Sequence, residues 1–540
     1  MNRSILIFIV PWLVVAIGFP AVAAEPFDIV VYGGTSGGVT AAVQCARMGK
    51  SVVLIEPTQF LGGLTTGGLG ATDIGNKRAI GGLSREFYQR IYKYYLEPDK
   101  WICETRDAYF KNRATNEDTM WTFEPSVATK VFNGMIAEAK VPVVFGQRLD
   151  LVKGVIKEGT RITQIVMESG RSFEAKMFID ATYEGDLMAK AGVNYHVGRE
   201  SNTTYDETIN GLQLRGTIHH QFIKPVDPFC KPGDISSGLL PGVTPMPIGN
   251  DGDGDHRIQA YNFRLCTTDN AENRRAWPKP EDYDELHYEL LLRNFEAGDM
   301  RVPWHPLWMP NRKSDTNNNF AFSTDNIGMN YEYPDGDYAV RAKIWKGHER
   351  YTKGLMWTLA NHPRVPEAVR QEFNRIALTK DEFIDNDNWP RQLYIREARR
   401  MVSEYVMSER NCKRKEVVPD SVGMGAYNMD SHNTQRYVTK DGFARNEGDI
   451  QIGTRPYPIS YRSIRPKKEQ CTNLLVPVCL AASHISYGSI RMEPVFMVLG
   501  QSAATAAVHA ILEQSSVQEI DTARFMTQLL QDGQVLDFEK

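Results

Sequence analysis

The stretch that decides the fold is FDIVVYGGTSGGVTAAVQCARMGKSVVLIE, residues 27–56. Asp28–Tyr32 is an apolar run typical of a buried strand, and Val39–Met48 has small and apolar residues at helical spacing. Gly49 follows the helical segment, where left-handed backbone commonly ends a helix, and Val52–Ile55 is a second apolar run. The stretch therefore predicts a strand, a tight turn, a helix and a second strand.

The turn after the first strand and the acid after the second have chemical tasks of their own. The first glycine permits a tight turn, the last lets helix and strand approach, and the helix N-terminus offers amides and a positive dipole end to a pyrophosphate. The acid accepts hydrogen bonds from ribose hydroxyls and repels a 2′-phosphate, which favours FAD or NAD over NADP. Thr35 replaces the middle glycine of the usual pattern, and we expect Gly34 and Gly37 to compensate. The predicted cofactor-binding residues are Gly33, Gly34, Thr35, Ser36, Gly37, Gly38 and Glu56.

Three further segments carry recognisable patterns. PTQFLGGLTTGGLG, residues 57–70, is a second glycine-rich stretch that an NAD dehydrogenase does not require. MFIDATYEGDL, residues 177–187, has the pattern of a strand end followed by a turn. Residues 474–507, which begin LLVPVCLAASHISYGSIRMEPVF, read as strand, loop and helix.

Together these segments resemble the FAD-dependent oxidoreductase family with a glutathione-reductase-like nucleotide fold. The resembling subfamily contains secreted bacterial proteins, some of them labelled as xanthan lyase related. The resemblance implies that the second glycine-rich stretch runs along the flavin, that residues 177–187 return under the adenosine, and that the last helix points its N-terminus at the flavin. The positions that it adds to the predicted FAD site are Gly62, Gly63, Leu64, Thr65, Leu149, Ala181, Thr182 and Met492.

The chain of 540 residues is too long for one hydrophobic core. The resemblance covers residues 27–200 and 445–535, whereas the middle is rich in aromatic, Asn and Pro residues. We therefore expect an α/β protein, a discontinuous Rossmann-like FAD-binding domain with an inserted α+β substrate domain. The predicted limits are 25–210 and 421–540 for the two FAD-binding parts and 211–420 for the substrate or cap domain.

The middle region suggests substrate recognition. In PWHPLWMP, residues 303–310, aromatic faces suit sugar rings, although the same residues could build a second core. The run Asp251–Asp255 alternates Asp and Gly, and it predicts a polar turn. Calcium is the alternative, but His256 and Asn262 do not fit an EF-hand loop.

Flavin chemistry commonly needs a base beside the ring, and histidine is best matched to neutral pH. His484 is the first candidate, because it lies between the strand and the helix of the last segment. Tyr487 and Arg491 share that segment and could polarise a substrate or stabilise reduced flavin, so the predicted catalytic residues are these three. His432 and Tyr457 are second candidates, and a structural role is an alternative for all five.

Arg396, Arg399 and Arg400 lie in LYIREARR, residues 393–400, which predicts a helix. Their guanidinium groups would form salt bridges, or Arg396 would anchor an anionic substrate.

The net charge of −4 and the mixed pattern of charges argue against a nucleic-acid partner. Residues 1–24 have an early arginine, an apolar run and small residues, the layout of a signal peptide. We expect export to the periplasm or beyond, with no stable membrane span after cleavage and a membrane anchor if the signal is retained. No cysteines have zinc-site spacing, no metal site is expected, and buried thiols are favoured over a Cys471–Cys479 bridge.

The leading hypothesis is an FAD-dependent oxidoreductase that oxidises an alcohol or amine carbon of a small molecule, such as a sugar or sugar derivative. The alternatives are a polysaccharide lyase or hydrolase, or a glycan-binding protein, that keeps the nucleotide fold for structure.

Overall fold

The computed structural model describes residues 25–538 except 112, 114–117 and 246–248. The predicted signal peptide, residues 1–24, lies outside the described residues. The elements of the first part are β1 Glu25–Tyr32, α1 Ser36–Arg47, β2 Val52–Glu56, α2 Gly63–Gly67, α3 Gly82–Tyr94, α4 Arg106–Phe110, α5 Pro125–Glu138, β3 Val143–Phe145, β4 Val155–Glu158, β5 Arg161–Val166, β6 Ser172–Asp180 and α6 Asp186–Lys190.

The middle of the chain has mostly short strands and three longer helices. Its elements are β7 Tyr195–His196, β8 Phe229–Lys231, β9 Asp234–Leu239, β10 Asn262–Phe263, β11 Leu265–Thr268, β12 Arg274–Arg275, α7 Glu289–Glu296, β13 Trp304–Trp308, β14 Lys313–Asn318, α8 Tyr338–Asn361, α9 Glu367–Arg375, β15 Ala377–Thr379, β16 Leu393–Tyr394, β17 Arg400–Met401 and α10 Glu409–Cys412.

The last part ends in helices. Its elements are β18 Ser421–Gly425, β19 Met429–Ser431, β20 Gln435–Val438, β21 Ala444–Glu447, β22 Ile450–Ile452, β23 Tyr457–Ser460, β24 Leu474–Leu475, α11 His484–Ile490, α12 Glu493–Leu512 and α13 Thr522–Gln531.

A seven-stranded sheet organises the two ends of the chain. Its order is β3-β2-β1-β6-β5-β4, with β24 also paired to β6. The pairs β1–β2, β2–β3, β1–β6 and β6–β24 are parallel, whereas β4 and β5 form an antiparallel excursion. The predicted Rossmann-like α/β fold is therefore confirmed, and so is its discontinuity, because β24 comes from the far end of the sequence.

The first β-α-β unit agrees with its prediction except at the start of the helix. The helix begins at Ser36 rather than Val39, because the Thr35 hydroxyl accepts a hydrogen bond from the Gly38 amide and caps the helix. The second strand, Val52–Glu56, carries the acid at its last position.

Helix α12 packs against α1 in the core. It is apolar and long enough to cross a membrane, but 89% of the residues in its most apolar stretch are buried inside the protein. Gly37 and Gly500 allow the contact, because a Cβ added at Gly500 would lie 2.0 Å from the Gly37 carbonyl oxygen. The helix is thus placed as a core element of the nucleotide-binding part.

The middle region builds its own antiparallel sheet, with strand order β12-β15-β11-β14-β13. Trp304 is buried and packs on Phe373 with ring centroids 4.2 Å apart, and Trp277 lies beside it. Trp304 therefore belongs to a second core, which was the alternative to a role in binding sugar rings. The predicted domain limits stay a prediction, since strand β20, beyond residue 420, pairs Tyr437 with Thr244 of the middle region.

The predicted helix at residues 393–400 is wrong. The segment has two short strands, β16 and β17, joined by irregular chain. Three buried ion pairs hold its arginines in different directions: Arg396 with Asp325, Arg399 with Asp186, and Arg400 with Glu200. These tertiary contacts outweigh the helical propensity of Arg, Glu and Ala.

The polar turn predicted for residues 251–255 is confirmed. Asp251 lies in a turn and accepts hydrogen bonds from the Leu214 and Arg215 amides, while Asp255 pairs with Arg199. Among the described residues, no three or more His, Cys, Asp and Glu side chains are grouped to hold a metal ion. The cysteines are free thiols, and Cys471 and Cys479 are the buried thiols that the sequence favoured over a bridge between them.

Candidate active site

The turn from Gly33 to Gly38 is tight enough to exclude side chains. Gly33 has φ of 99°, in the left-handed region that favours glycine. A Cβ added at Gly38 would lie 1.8 Å from the Gly33 carbonyl oxygen. At Gly37 it would lie 2.8 Å from the carbonyl oxygen of Phe496 in α12. Each glycine has a packing reason, and together they bring the start of α1 close to strand β1 and helix α12.

Thr35 takes a structural task in place of the missing glycine. Its hydroxyl donates to the Ala181 carbonyl oxygen at 2.7 Å and accepts from the Gly38 amide at 3.2 Å. The side chain thereby joins the helix start to the end of strand β6, where Thr182 follows. Gly34 keeps the backbone open, because a Cβ there would meet Leu61 at 2.6 Å.

Glu56 is buried directly beside the turn. One carboxylate oxygen accepts from the Gly34 amide at 2.6 Å and the other from the Thr58 amide at 2.7 Å. Burial raises the pKa of Glu56 to about 6. Two backbone donors orient the carboxylate, and its remaining lone pairs suit the hydroxyl groups of a ribose.

The second glycine-rich stretch lies against the first. The Gly62 amide donates to the Gly34 carbonyl oxygen at 2.7 Å. In α2 the Leu64 amide donates to the Tyr183 hydroxyl oxygen at 2.9 Å, and the Thr65 hydroxyl donates to Glu493 at 2.7 Å. Glu493 is the first residue of α12, so α2, α12 and the end of β6 meet at one point.

The glycines later in this stretch contact the inserted part of the chain. A Cβ added at Gly67 would lie 2.4 Å from the Gln392 side chain, and one at Gly68 would lie 2.6 Å from the Arg264 carbonyl oxygen. The Gly70 amide donates to Asp315 at 3.0 Å. This stretch therefore serves the packing of the inserted region as well as the predicted cofactor site.

A cavity of about 240 Å³ opens beside the first turn. Gly33, Thr35, Glu56, Gly63 and Thr182 are among the predicted cofactor residues that line it. The inserted part closes the other side with Tyr333, Tyr338, Arg341, Trp345 and Gln392. The cavity, the glycine turn and the acid together fit the nucleotide end of FAD.

The other predicted cofactor residues do not line this cavity. Leu149 is buried, and its backbone bonds to the hydroxyls of Tyr32 and Tyr338. Ala181 bonds through its carbonyl to Thr35, and Met492 is the N-cap of α12. Their roles toward FAD stay predictions.

A buried network of charges lies at the N-terminal end of α12. Arg491 donates to the Tyr394 hydroxyl at 2.6 Å and to Asp430 at 2.9 Å. Asp430 lies 3.4 Å from Nε2 of His432, whose Nδ1 is 2.7 Å from Asp325. Arg491 is thus connected to the second-rank histidine through one carboxylate.

Arg396 completes this network on the other side of Asp325, at 3.0 Å. Its guanidinium lies over the Tyr394 ring, 4.7 Å from the centroid. Among the described residues, Nε of Arg396 and Nε of Arg491 have no hydrogen-bond partner. Buried donors without acceptors are rare in proteins, and two of them beside one aromatic ring fit a site completed by a bound group.

Opposing charges set the protonation of the central histidine. Burial and the Arg396 charge oppose protonation of His432, but Asp325 and Asp430 outweigh them and raise its pKa. Burial also opposes ionisation of Asp430, but His432 and Arg491 outweigh it and lower that pKa to about 2. The network therefore favours a protonated His432 between two carboxylates.

The first-rank histidine lies elsewhere in the core. His484 is 2% exposed; Nδ1 is 2.9 Å from Glu397, and Nε2 is 2.9 Å from the Ser431 hydroxyl. Tyr487 is also buried, and its hydroxyl donates to the Val478 carbonyl oxygen. Both ring nitrogens of His484 and the hydroxyl proton of Tyr487 therefore have hydrogen-bond partners within the protein. The catalytic roles predicted for the two residues stay predictions. Tyr457 likewise donates to Ser489.

The sequence did not reveal the acids of the network or its aromatic centre. Asp325, Tyr394 and Asp430 come from separate segments and share no spacing with each other or with Arg491. One local pattern did point to the network: Asp430 lies two residues before His432 in the sequence. Strand β19 includes Asp430.

Comparison with known proteins agrees with this geometry. The protein-family model described as FAD dependent oxidoreductase matches residues 28–529. No curated protein matches the sequence.

Among solved structures, L-amino acid deaminase from Proteus vulgaris is 15% identical, with a TM-score of 0.24, over 34% of this chain and 54% of that one. A flavin-containing monooxygenase from Stenotrophomonas maltophilia is 18% identical, with a TM-score of 0.20, over 34% of this chain and 44% of that one. The matched part thus spans about half the length of each relative. The family match extends over most of the sequence and includes the glycine turn and Glu56. The chain therefore belongs to the family of FAD-dependent oxidoreductases, and FAD is its cofactor.

Proposed function

We propose that this enzyme oxidises an alcohol or amine carbon of a small molecule beside the Arg491–Asp430–His432 network. The observation that supports the proposal is the chain of contacts from Arg491, at the start of α12, through Asp430 to His432. Such an oxidation transfers a hydride from carbon to FAD and releases a proton from the oxygen or nitrogen. A histidine held by a carboxylate is suited to accept that proton.

The protein groups divide this work between them. Asp325 at Nδ1 fixes the orientation of the imidazole, and Nε2, which lies 3.4 Å from Asp430, is the nitrogen that would accept the substrate proton. Arg396 and Arg491 bring positive charge to the same place, where they would hold an oxygen of the substrate or stabilise negative charge on reduced FAD. The Tyr394 ring lies beside both guanidinium groups, with its centroid 4.7 Å from the guanidinium carbon of Arg396 and 5.5 Å from that of Arg491.

The pH dependence of the reaction follows from the charges around His432. The imidazole must be neutral to accept a proton, and Asp325 and Asp430 raise its pKa above 6.5. Catalytic efficiency should therefore be low in acid and rise with pH through a value above 6.5. Asp449 and His220 belong to the same electrostatic neighbourhood, and burial raises the pKa of Asp449 to about 7. A second ionisation in this range is expected from Asp449.

The decisive experiment compares two histidines. Purified protein should be yellow, and anaerobic addition of a substrate should bleach the FAD absorbance. We expect His432→Asn to retain FAD but to slow bleaching by about 10²–10⁴-fold and to lose the acid limb of the pH profile. His484→Asn is the matched variant, and we expect it to lower thermal stability while keeping that limb.

The reverse result would contradict this assignment. If His484→Asn removes the acid limb and His432→Asn does not, the base is the histidine that the sequence ranked first. If both variants bleach at the wild-type rate, the proton goes to another group, and the proposed role of the network is wrong.

The substrate class is tested by a panel of alcohols, amines and sugars under the same anaerobic conditions. A sugar is the narrower hypothesis, and the burial of Trp304 in a core removes one of its supports. The lyase, hydrolase and glycan-binding alternatives predict that no compound bleaches the flavin.

We also propose that the protein is exported and acts on a small molecule outside the cytoplasm, without nucleic acid and without a stable membrane span. The support is the signal-like composition of residues 1–24. N-terminal sequencing of the protein secreted by its host should give a start at Ala24 or Glu25. A start at Met1 in the membrane fraction would show a retained anchor instead.

A further inference from the structure

A second cavity, of about 370 Å³, lies between the inserted part of the chain and strand β20. One side is a face of α8, and the others come from residues 241–242, 280–288 and 322–332 and from β20. It shares no lining residue with the cavity beside the glycine turn. It is therefore a separate space in the protein.

Arg436 of β20 brings a buried guanidinium to this cavity. The residue is 4% exposed, and it donates from Nε to Asn446 at 2.9 Å and from Nη2 to the Ala321 carbonyl oxygen at 3.0 Å. Nη1 has no acceptor among the described residues, and no described carboxylate lies within 4.0 Å of the guanidinium. One donor nitrogen of this buried cation therefore has no partner among the residues that the structure describes.

Other buried arginines of this protein are paired. Arg199 has Asp255 at 2.6 Å, and Arg264 has Asp315 at 2.7 Å. A buried charge without a counterion is costly, and proteins rarely keep one without a use. The Phe322 ring, 4.8 Å from the guanidinium carbon, offsets part of that cost. Burial also lowers the pKa of Arg436 to about 10, which shows how little the surroundings compensate its charge.

The walls of the cavity are aromatic. Tyr283 stacks on Tyr288 with an interplanar angle of 12°, and Tyr288 stacks on Tyr351. The hydroxyls of these tyrosines already bond to Thr358, to the Tyr351 carbonyl and to the Ser323 carbonyl. Because their hydroxyls are bonded within the protein, these tyrosines give the cavity an apolar, aromatic wall.

The outer residues of the lining limit the charge of an occupant. Asp282, Asp284 and Glu332 are exposed carboxylates, and Lys343 and Arg350 are exposed cations. Arg350 is already paired with Asp282 at 2.6 Å. The exposed lining therefore carries one more negative charge than positive, which opposes a dianion and leaves Arg436 to balance a single negative charge.

We propose that this cavity binds a small monocarboxylate with a flat apolar body, whose carboxylate lies against Nη1 of Arg436. The carboxylate supplies the acceptor and the counterion that the protein does not, and the ring body fills the aromatic space. The site does not depend on the proposed flavin reaction or on the identity of its base.

The test uses benzoate with the FAD-loaded protein, benzamide as the uncharged analogue and inorganic phosphate as the more highly charged anion. Calorimetry should show one benzoate site, at least about tenfold tighter than for benzamide or phosphate. Arg436→Gln should weaken benzoate binding by at least about tenfold, whereas Arg436→Lys should keep part of it. Arg350→Gln is the matched control, because this arginine lines the same cavity but is exposed and paired, and benzoate affinity should stay within about twofold.

Each other outcome would overturn the proposal. Wild-type protein that does not bind benzoate, or that binds phosphate more tightly, has no such site. Benzoate that changes the FAD absorbance and binds Arg436→Gln as tightly as wild type lies at the flavin instead. If Arg436→Gln does not fold, Arg436→Lys decides the question through the rise in melting temperature that benzoate causes; a rise equal to that of benzamide would contradict the proposal.

Discussion

At the scale of single residues, Glu56 links the backbone of the turn to the predicted ribose position. Its two oxygens accept from the amides of Gly34 and Thr58. An amide side chain has one acceptor oxygen and would set an NH₂ group against one of these donors.

We expect Glu56→Gln to weaken FAD binding by about 10–100-fold, the size of a hydrogen bond to a charged group. Because burial raises the pKa of Glu56 to about 6, FAD affinity of the wild type should also fall as the pH drops through 6. Fluorescence of released FAD, measured against pH, checks both statements. An affinity that is the same in both proteins from pH 5 to 8 would remove this residue from the cofactor site.

The same scale shows what a sequence can reveal. Gly33, Gly38 and Glu56 were predictable because their tasks depend on neighbours close in the sequence. Thr35 was recognised as a departure, but the hydrogen bond from its hydroxyl to the Ala181 carbonyl oxygen could be seen only in the fold. Asp325 carries no local pattern, because its partners come from segments far away in the chain.

At the scale of elements, the contact between α1 and α12 depends on two small residues. A Cβ added at Gly500 would lie 2.0 Å from the Gly37 carbonyl oxygen, so the helices would have to move apart. We expect Gly500→Ala to lower the free energy of unfolding by about 1–3 kcal/mol, although alanine favours a helix.

The control for that variant is Gly134→Ala in the helix α5. No atom lies within 4 Å of a Cβ added there, and we expect the free energy of unfolding to rise by about 1 kcal/mol. Denaturant unfolding of both variants measures the difference. Equal stabilisation by the two substitutions would show that the α1–α12 contact is not tight.

Prediction of elements succeeded where packing and local pattern agree. The β-α-β unit has two apolar runs, a glycine turn and a glycine after its helix. The predicted limits of its strands and helix lie within a few residues of the observed ones. The segment of Arg396, Arg399 and Arg400 has a helical composition, but its partners Asp325, Asp186 and Glu200 are remote in sequence. Only their position in the fold shows that the arginines are pulled apart.

At the scale of the whole molecule, Asp186 connects the nucleotide-binding part to the inserted part. It accepts from Arg341 of α8 at 2.6 and 2.8 Å and from Arg399 at 2.7 Å. Burial opposes its ionisation, but the two guanidinium groups outweigh it and lower the pKa of the carboxyl.

We expect Asp186→Asn to lower the free energy of unfolding by about 3–5 kcal/mol, since it leaves two buried cations uncompensated. The pKa is lowered in the folded state, so the stabilisation is present above 3.8 and is lost as the pH falls below it. Thermal unfolding at pH 7 and pH 3 measures this change. Asp282→Asn, at an exposed pair with Arg350, is the control and should change little. Comparable losses in the two variants would contradict the special role of Asp186.

The pairing of β24 with β6 has a consequence for how the molecule is made. Strand β24, which pairs with β6 in the sheet beside the first glycine turn, comes from residues beyond 470. Helix α12, which packs against α1, also comes from residues beyond 470. A growing chain would thus carry an exposed sheet edge and an uncovered apolar helix face until residues 474–512 have left the ribosome. Residues 474–512 would then complete the part of the fold that residues 25–56 begin, and cofactor capture would follow their synthesis rather than precede it.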